Sequence, residues 1–182
     1  NADATDAVAI GFESSATDAH AVAIGYVASS AGNRSVVVGY SASATTGGDQ
    51  AVVIGERASS TSSNTVALGP TSGAYGTTSI AIGSGCKTYS TNSIAVGQGA
   101  KGSGTSTIII GTNSGTAASG SYNIAVGQNV LDAMTATAAD NIGIGRVAAT
   151  NLTDGINNIA IGLSAGSVLT TGSNNICLGR EA

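Results

Sequence analysis

The sequence predicts an all-β protein, a parallel β-roll or β-solenoid of about twelve short turns, and two observations predict this fold class. A motif of an aliphatic residue, a small or apolar residue, a second aliphatic residue and glycine occurs twelve times in the 182 residues. The glycines of successive motifs are 14 to 18 residues apart, and the motifs run from one end of the chain to the other. Such a period is typical of a fold that stacks similar turns along one axis, and it leaves no room for a separate globular domain.

The triplet before each glycine predicts a short β-strand, as in Val22-Ala23-Ile24 before Gly25. Neighbouring side chains in a strand point to opposite faces, so the first and third residues of a triplet share one face. These flanking positions are aliphatic in every motif. We therefore predict that the flanking residues form the inside of the solenoid.

The middle residue of each triplet would then lie on the opposite face. It is Ala, Val, Ile, Gly or Cys in every motif, whereas a face in water would carry Ser, Thr or Lys in some of them. A single-layer roll covers only one face of its strands, so we predict that sister chains cover the other face in a closed homotrimer. The predicted trimer interface consists of Ala9, Ala23, Val37, Val53, Ala67, Ala81, Ala95, Ile109, Ala125, Gly143, Ala160 and Cys177.

A second pattern of small residues follows each glycine. They recur three positions after it, as at Ala28 and Ala42, and in most 14-residue turns again two positions later, as at Ser30 and Ala44. This pattern predicts a second short strand in each turn, with the glycine at the bend, where a Cβ would be costly. Each turn then contributes one strand to each of two parallel sheets, which face each other across a thin core.

Repeat length divides the chain into two regions. Residues 1–127 have repeats of 14 to 16 residues, and residues 128–182 continue the same β-roll with repeats of 17 or 18 residues. In the longer repeats an apolar residue stands seven positions after the glycine, at Met134, Leu152 and Leu169. We predict that these side chains fill a wider turn.

Two segments carry a specific family likeness. Ser79-Ile80-Ala81-Ile82-Gly83 and Asn92-Ser93-Ile94-Ala95-Val96-Gly97, with their 14-residue period, resemble the head repeats of trimeric autotransporter adhesins of the YadA type. The resemblance covers about residues 1–127. It implies a left-handed parallel β-roll, three chains around one axis, and attachment to host surfaces or matrix.

The longer repeats resemble a different class of protein. Leu152–Asn158 and Leu169–Asn175, each leading into Ile-x-(Ile/Leu)-Gly, look more like repeats of bacteriophage tail fibres. The sequence also shows no coiled-coil stalk and no membrane anchor of an autotransporter. The first hypothesis is therefore a trimeric phage tail fibre that attaches to a glycan or protein of the host cell surface.

Two alternatives stay open at this point. The chain could be the head of a bacterial trimeric autotransporter adhesin, or a passive spacer within a fibre. Each of these hypotheses places the chain outside the cell, on a virion or on a bacterial surface.

Aromatic and basic residues at equivalent positions of neighbouring turns are the candidates for surface recognition. The candidates are Phe12, Tyr26, Tyr40, Tyr75, Tyr89, Lys87 and Lys101. The first three follow their glycines directly and should form a ladder with a spacing of about 4.8 Å. Stacked aromatic residues also stabilise a solenoid without any ligand, and paired lysines are commonly a solvated surface.

Other function classes lack the residues that they need. The net charge is −4 with no basic run, which argues against nucleic-acid binding, and no apolar stretch is long enough to span a membrane. A single histidine and the absence of a recurring carboxylate pair argue against an enzyme, a cofactor and a metal site. The two cysteines lie six repeats apart, too far for a disulfide.

Overall fold

The computed structural model describes residues 1–116 and 120–182, which form two compact units, Asn1–Thr88 and Tyr89–Ala182. All strand pairs within each unit are parallel, and the triplets lie in twelve successive turns. The predicted all-β parallel solenoid is therefore confirmed. In the described part of the chain, no helix is long and apolar enough to cross a membrane.

The first unit contains six triplet strands and six second strands. Its strands are β1 (Val8–Ile10), β2 (Ser15–Ala16), β3 (Val22–Ile24), β4 (Ser29–Ser30), β5 (Val36–Val38), β6 (Ser43–Ala44), β7 (Val52–Ile54), β8 (Ser59–Ser60), β9 (Val66–Leu68), β10 (Gly73–Ala74), β11 (Ile80–Ile82) and β12 (Lys87–Thr88). Odd-numbered strands form one sheet and even-numbered strands the other. Equivalent residues lie side by side, as Ala23 does with Val37, so each sequence position forms a column along the stack.

The second unit keeps the triplet sheet but has one second strand. Its strands are β13 (Ile94–Val96), β14 (Lys101–Gly102), β15 (Ile108–Ile110), β16 (Ile124–Val126), β17 (Ile142–Ile144), β18 (Ile159–Ile161) and β19 (Ile176–Leu178). A second strand was predicted in every turn, but none follows β14 among the described residues. Residues 117–119, in the turn after Gly111, lie outside the described residues. The division of the chain at residue 127 stays a prediction.

Loops with their own apolar residues replace the second strand in the longer turns. Met134 and Leu152 are buried, as predicted, and Leu131, which was not predicted from the sequence, is buried in the same turn as Met134. Leu169, in the last turn, is only half-buried. These side chains fill the space that the extra residues of the longer turns enclose.

The middle residue of each triplet points into the roll, and the flanking residues point out of it. Ala23 and Val37 have no exposed surface in the single chain, whereas Ile10 is 57% exposed and Ile54 is 42% exposed. The two faces predicted from the sequence are therefore the wrong way round. The second-strand residues opposite, such as Ser30 and Ala44, are also small and buried, so the core between the two sheets is thin. Only small side chains fit there, and the bulkier flanking residues are left outside.

The predicted trimer interface is therefore wrong in its residues. Buried inside their own turns are Ala23, Val37, Val53, Ala67, Ala81, Ala95, Ile109, Ala125, Gly143 and Ala160, and half-buried in the two end turns are Ala9 and Cys177. Gly143 shows that the middle position of the triplet points into the roll, because a Cβ at this position would meet the side chains of Val130 and Leu131 inside the turn. A sister chain has no access to this column.

The glycine after each triplet is required by the backbone. Gly25 has a φ of +138°, and a Cβ there would collide with the carbonyl oxygen of Gly39 in the next turn. Each turn also places non-glycine residues in the left-handed region, such as His20 (φ 59°) and Val27 (φ 54°). Their N–H groups donate to the preceding turn, to the carbonyl oxygens of Thr5 and Phe12, each at 2.9 Å. The glycine bends were predicted from the sequence, whereas these left-handed residues were not.

A ladder of buried amides supports the longer turns. It consists of Asn123, Asn141, Asn158 and Asn175, each directly before a triplet strand. The Oδ1 of each residue accepts from the backbone N–H and the Nδ2 of the next, at distances of 2.9 to 3.1 Å. The Nδ2 groups also donate to loop carbonyls, as Asn141 does to Gly155 at 2.9 Å. The shorter turns place Ala, Ser or Thr in this column.

Candidate binding surfaces

The flanking residues of the triplets form an aliphatic face on each unit. We use this name for the first and third residues of every triplet strand, and each of them is half-buried or exposed in the single chain. In the first unit the register of β1 to β11 aligns these side chains in two columns of Val, Ile and Leu. A contiguous exposed apolar surface marks an interaction site.

The chemistry of the aliphatic face restricts what can cover it. It carries no hydrogen-bonding side chain, and the backbone groups of its strands are used within the sheet. Covering a half-exposed Val or Ile contributes about 1 kcal/mol, so a face of many such residues favours a large apolar partner surface. A small polar ligand would leave most of this face in water.

An aromatic ladder stands at one edge of the aliphatic face in the first unit. The rings of Phe12, Tyr26 and Tyr40 stack with centroids 5.3 Å apart and interplanar angles of 14° and 5°. This geometry confirms the ladder that the sequence predicts. The three side chains are 63%, 48% and 48% exposed, respectively. Their role in surface recognition stays a prediction.

The ladder ends at an arginine. The guanidinium carbon of Arg57 lies 6.0 Å from the centroid of the Tyr40 ring. Arg57 also lies 3.8 Å from the carboxylate of Glu56, which follows its glycine as the ladder residues follow theirs. The ladder thus occupies three turns, and the fourth turn covers its end with a cation.

Tyr75 and Lys87 lie on the second-strand side of the first unit. The Tyr75 ring lies over Gly73 of β10, where a Cβ would collide with it, and the hydroxyl hydrogen-bonds to the Ser59 Oγ at 2.9 Å. Tyr75 is therefore held flat against the sheet. Lys87 begins β12 and is half-buried, next to the buried Thr88.

Tyr89 and Lys101 belong to the second unit. Tyr89 is 47% exposed, and its N–H donates to the carbonyl oxygen of Gly102 at 2.9 Å. Lys101 begins β14 and is half-buried. The predicted pairings of Tyr75 with Tyr89 and of Lys87 with Lys101 join residues of different units, so both pairings stay predictions.

The described residues offer extended surfaces for binding. Residues 1–116 and 120–182 contain no group of three His, Cys, Asp or Glu side chains that could hold a metal ion, and their surface shows no pocket. Neither Cys86 nor Cys177 forms a disulfide. Burial raises the pKa of the Cys86 thiol to about 11, which disfavours its reactive thiolate form.

Comparison with known proteins matches the first unit to one family of repeats. The YadA head domain repeat matches residues 2–28, 30–58, 47–72 and 60–85. Comparison with curated proteins gives no match. These matched ranges contain the aromatic ladder and most of the aliphatic face of the first unit.

A solved structure has a similar fold. The chain is similar to the collagen-binding domain of the Yersinia adhesin YadA, with a TM-score of 0.60 and 24% sequence identity, over 98% of this chain and 83% of that one. The family match favours the adhesin head over the phage tail fibre, which was the first hypothesis from the sequence. Residues 2–28 and 30–85 match the YadA head domain repeat, which confirms the resemblance found in the sequence.

Proposed function

We propose that this chain is part of the head of a bacterial trimeric adhesin, held at the cell surface, which attaches to a host molecule. One observation carries the proposal: the triplet strands within the residues that match YadA head repeats present an uncovered aliphatic face. Three copies around an axis parallel to the stacking direction would cover these faces with one another. The second-strand side would then remain free for a ligand.

The reasoning that predicts a trimer still applies, but the residues proposed for the interface are now the flanking residues instead of the middle ones. The strands are apolar on both sides, the roll itself covers the middle residues, and the flanking residues remain for the sister chains. Interfaces of permanent homo-oligomers are large and apolar, as this face is. The function is binding without catalysis.

The ligand that we propose is a protein of the host matrix, with collagen as the first to test. The Yersinia domain of similar fold is a collagen-binding domain. Fold alone does not transfer a ligand, so the surface must be tested directly. Three copies of one weak site on a trimer raise avidity without new contacts. The residues that we propose for contact are Tyr75 and Lys87 on the first unit and, separately, Tyr89 and Lys101 on the second unit.

The oligomeric state is tested by sedimentation equilibrium. The expected mass is three times the 17.3 kDa of one chain, over a wide concentration range. A folded protein with the mass of one chain would contradict the proposed trimer.

Ligand binding is tested with the intact trimer on immobilised native collagen, with heat-denatured collagen and albumin as controls. We expect binding that saturates and that is reduced in Lys87→Glu and Lys101→Glu variants of unchanged mass. A trimer that binds neither collagen nor host cells would support the passive spacer.

A further inference from the structure

The aromatic ladder is continuous with the aliphatic face. One glycine separates each ring from the last residue of a triplet, as in Ile10-Gly11-Phe12, and Ile10 is itself 57% exposed. A surface that covered the aliphatic face of the first unit would therefore reach the ladder at the edge where the chain leaves each triplet strand.

Stacking restricts what the ladder can bind. Tyr26 has a neighbouring ring over each of its faces at 5.3 Å, and Tyr40 lies between Tyr26 and the Arg57 guanidinium. The outer face of Phe12 is the one ring face of the ladder without a stacked neighbour among the described residues. What remains is a row of ring edges and two phenol hydroxyls. This row is poorly suited to stacking on sugar rings and well suited to packing against side chains.

A second column, the entry column, stands at the opposite end of the same triplet strands. It consists of Asp6, His20 and Arg34, each five residues before its glycine. All three are exposed and left-handed, with φ of 55° to 59°. The N–H groups of His20 and Arg34 donate to the carbonyl oxygens of Thr5 and Ala19 in the preceding turn, at 2.9 and 3.0 Å, which holds the column in register.

Cyclic symmetry brings these two edges together. In a parallel cyclic oligomer the interface is heterologous, so one edge of the face of a subunit meets the other edge of its neighbour. An axis parallel to the stack keeps equivalent turns of all subunits at equal height. Phe12 then lies level with Asp6 of the neighbour, Tyr26 with His20 and Tyr40 with Arg34.

At each height, the ladder ring of one subunit and the entry-column side chain of its neighbour are chemically complementary. The positive edge of the Phe12 ring suits the carboxylate of Asp6. The hydroxyl oxygens of Tyr26 and Tyr40 can accept hydrogen bonds from the imidazole of His20 and the guanidinium of Arg34. All three levels match when subunits are parallel and in register, whereas a shift by one turn would bring Phe12 beside His20.

We infer that the aromatic ladder is a subunit seam, in which Phe12, Tyr26 and Tyr40 of one subunit pack against the entry column of the next. The partner of the ladder is thus a second copy of this chain. The inference rests on the proposed trimer and assigns the ladder to assembly, whereas the candidates on the second-strand side remain for the ligand. The seam also fixes the register of the subunits.

Fluorescence quenching tests the seam, because the chain contains no tryptophan. Tyr26→Trp places a probe in the ladder, and Ser43→Trp places a matched probe on β6, on the second-strand side. In variants that sediment as trimers, acrylamide should quench Tyr26→Trp several-fold less than Ser43→Trp. Equal quenching in a confirmed trimer would overturn the seam.

Disulfide cross-linking identifies the neighbour of the ladder. In a Cys86→Ala, Cys177→Ala background, His20→Cys with Tyr26→Cys should give covalent dimers and trimers on oxidation, since a disulfide requires Cα atoms within about 7 Å. His20→Cys with Ser29→Cys, which places the second thiol on β4, should remain a single chain on a denaturing gel.

The two proposals fail in different ways. A protein with trimer mass in which the first pair forms no intersubunit bond refutes the seam and leaves the trimer intact. A protein with the mass of one chain refutes the trimer, and the seam with it.

Discussion

At the scale of single residues, the fold depends on backbone conformations that most side chains avoid. Each turn has left-handed residues on both sides of its triplet, and their N–H groups hydrogen-bond to the turn before. Asn and Asp tolerate this conformation, but Val27 and Val147, at φ 54°, are β-branched and strained there. The interturn hydrogen bonds offset this strain.

Val27→Asn should therefore stabilise the protein. Relief of the left-handed strain is worth about 1 kcal/mol, and Val27 is 37% exposed, so an Asn side chain at this position stays in contact with water. Urea unfolding followed by circular dichroism should show the increase in the free energy of unfolding. Val168→Asn is the control, because Val168 is 86% exposed and is not left-handed. Equal effects of the two substitutions would show that Val27 is not strained.

Cys86 should make stability depend on alkaline pH. Burial raises its pKa from 9.0 to about 11, so between these values the unfolded thiol ionises while the folded one stays neutral. Stability is therefore fully present below pH 9 and falls as the pH rises to 11, by up to about 3 kcal/mol. The difference between wild type and Cys86→Ala isolates this loss from other titrating groups. Parallel pH profiles of the two proteins would contradict the prediction.

At the scale of elements, two devices hold one turn to the next. The glycine column permits close approach of the backbones, and polar side chains before each triplet bind the wider turns together. Each internal asparagine of the amide ladder hydrogen-bonds to the asparagines of the turns before and after it. Asn141 accepts two hydrogen bonds from Asn158 and donates to Asn123 and Gly155. A buried ladder of this kind is stabilising only while every member is satisfied.

Asn141→Ala should cost about 3 kcal/mol or more, because it leaves the buried N–H of Asn158 and one of its amide protons without an acceptor. Asn175→Ala is the matched control at the last and partly exposed position of the ladder, and it should cost about 1 kcal/mol. Thermal unfolding of both variants gives the comparison. Equal losses would show that the ladder does not act through its internal hydrogen bonds.

These elements also show how far the sequence could predict the structure. The triplet strands, the glycine bends and the aromatic ladder could be predicted from the regular repeat. The repeat determines which residues of successive turns pair, and therefore which side chains lie in one column. The burial of Met134 and Leu152 followed from their fixed offset. The asparagine column could have been found as the position directly before each triplet, where Ala, Ser and Thr give way to Asn as the turns lengthen.

The direction of the two strand faces could not be predicted from alternation alone. Alternation shows that two faces differ, and both faces of these triplets are apolar. The decisive quantity is the thickness of the core, which small residues on the second strand limit. The small Ala and Ser residues of the second strands leave little space between the two sheets, too little for the flanking Val and Ile. A comparison of these side-chain sizes would have placed the small middle residues inside.

At the scale of the whole molecule, the reversal of the faces separates folding from assembly. Middle residues hold each chain together, and flanking residues are left for the contacts between chains. In a repeat fold each turn depends on its neighbours, so one buried charge destabilises the turns around it. A charge on the aliphatic face is solvated in the single chain and is costly only where a partner covers it.

Adjacent residues of β9 allow this separation to be tested within one strand. Ala67 is fully buried and Leu68 is partly exposed in the single chain. Leu68→Lys should leave the β-sheet signal in circular dichroism intact while shifting sedimentation from the trimer toward the single chain at low concentration. Ala67→Lys should lose the folded signal itself, because a buried unpaired charge costs more than about 4 kcal/mol. A trimer that tolerates Leu68→Lys at all concentrations would show that the aliphatic face is not the surface through which the chains associate.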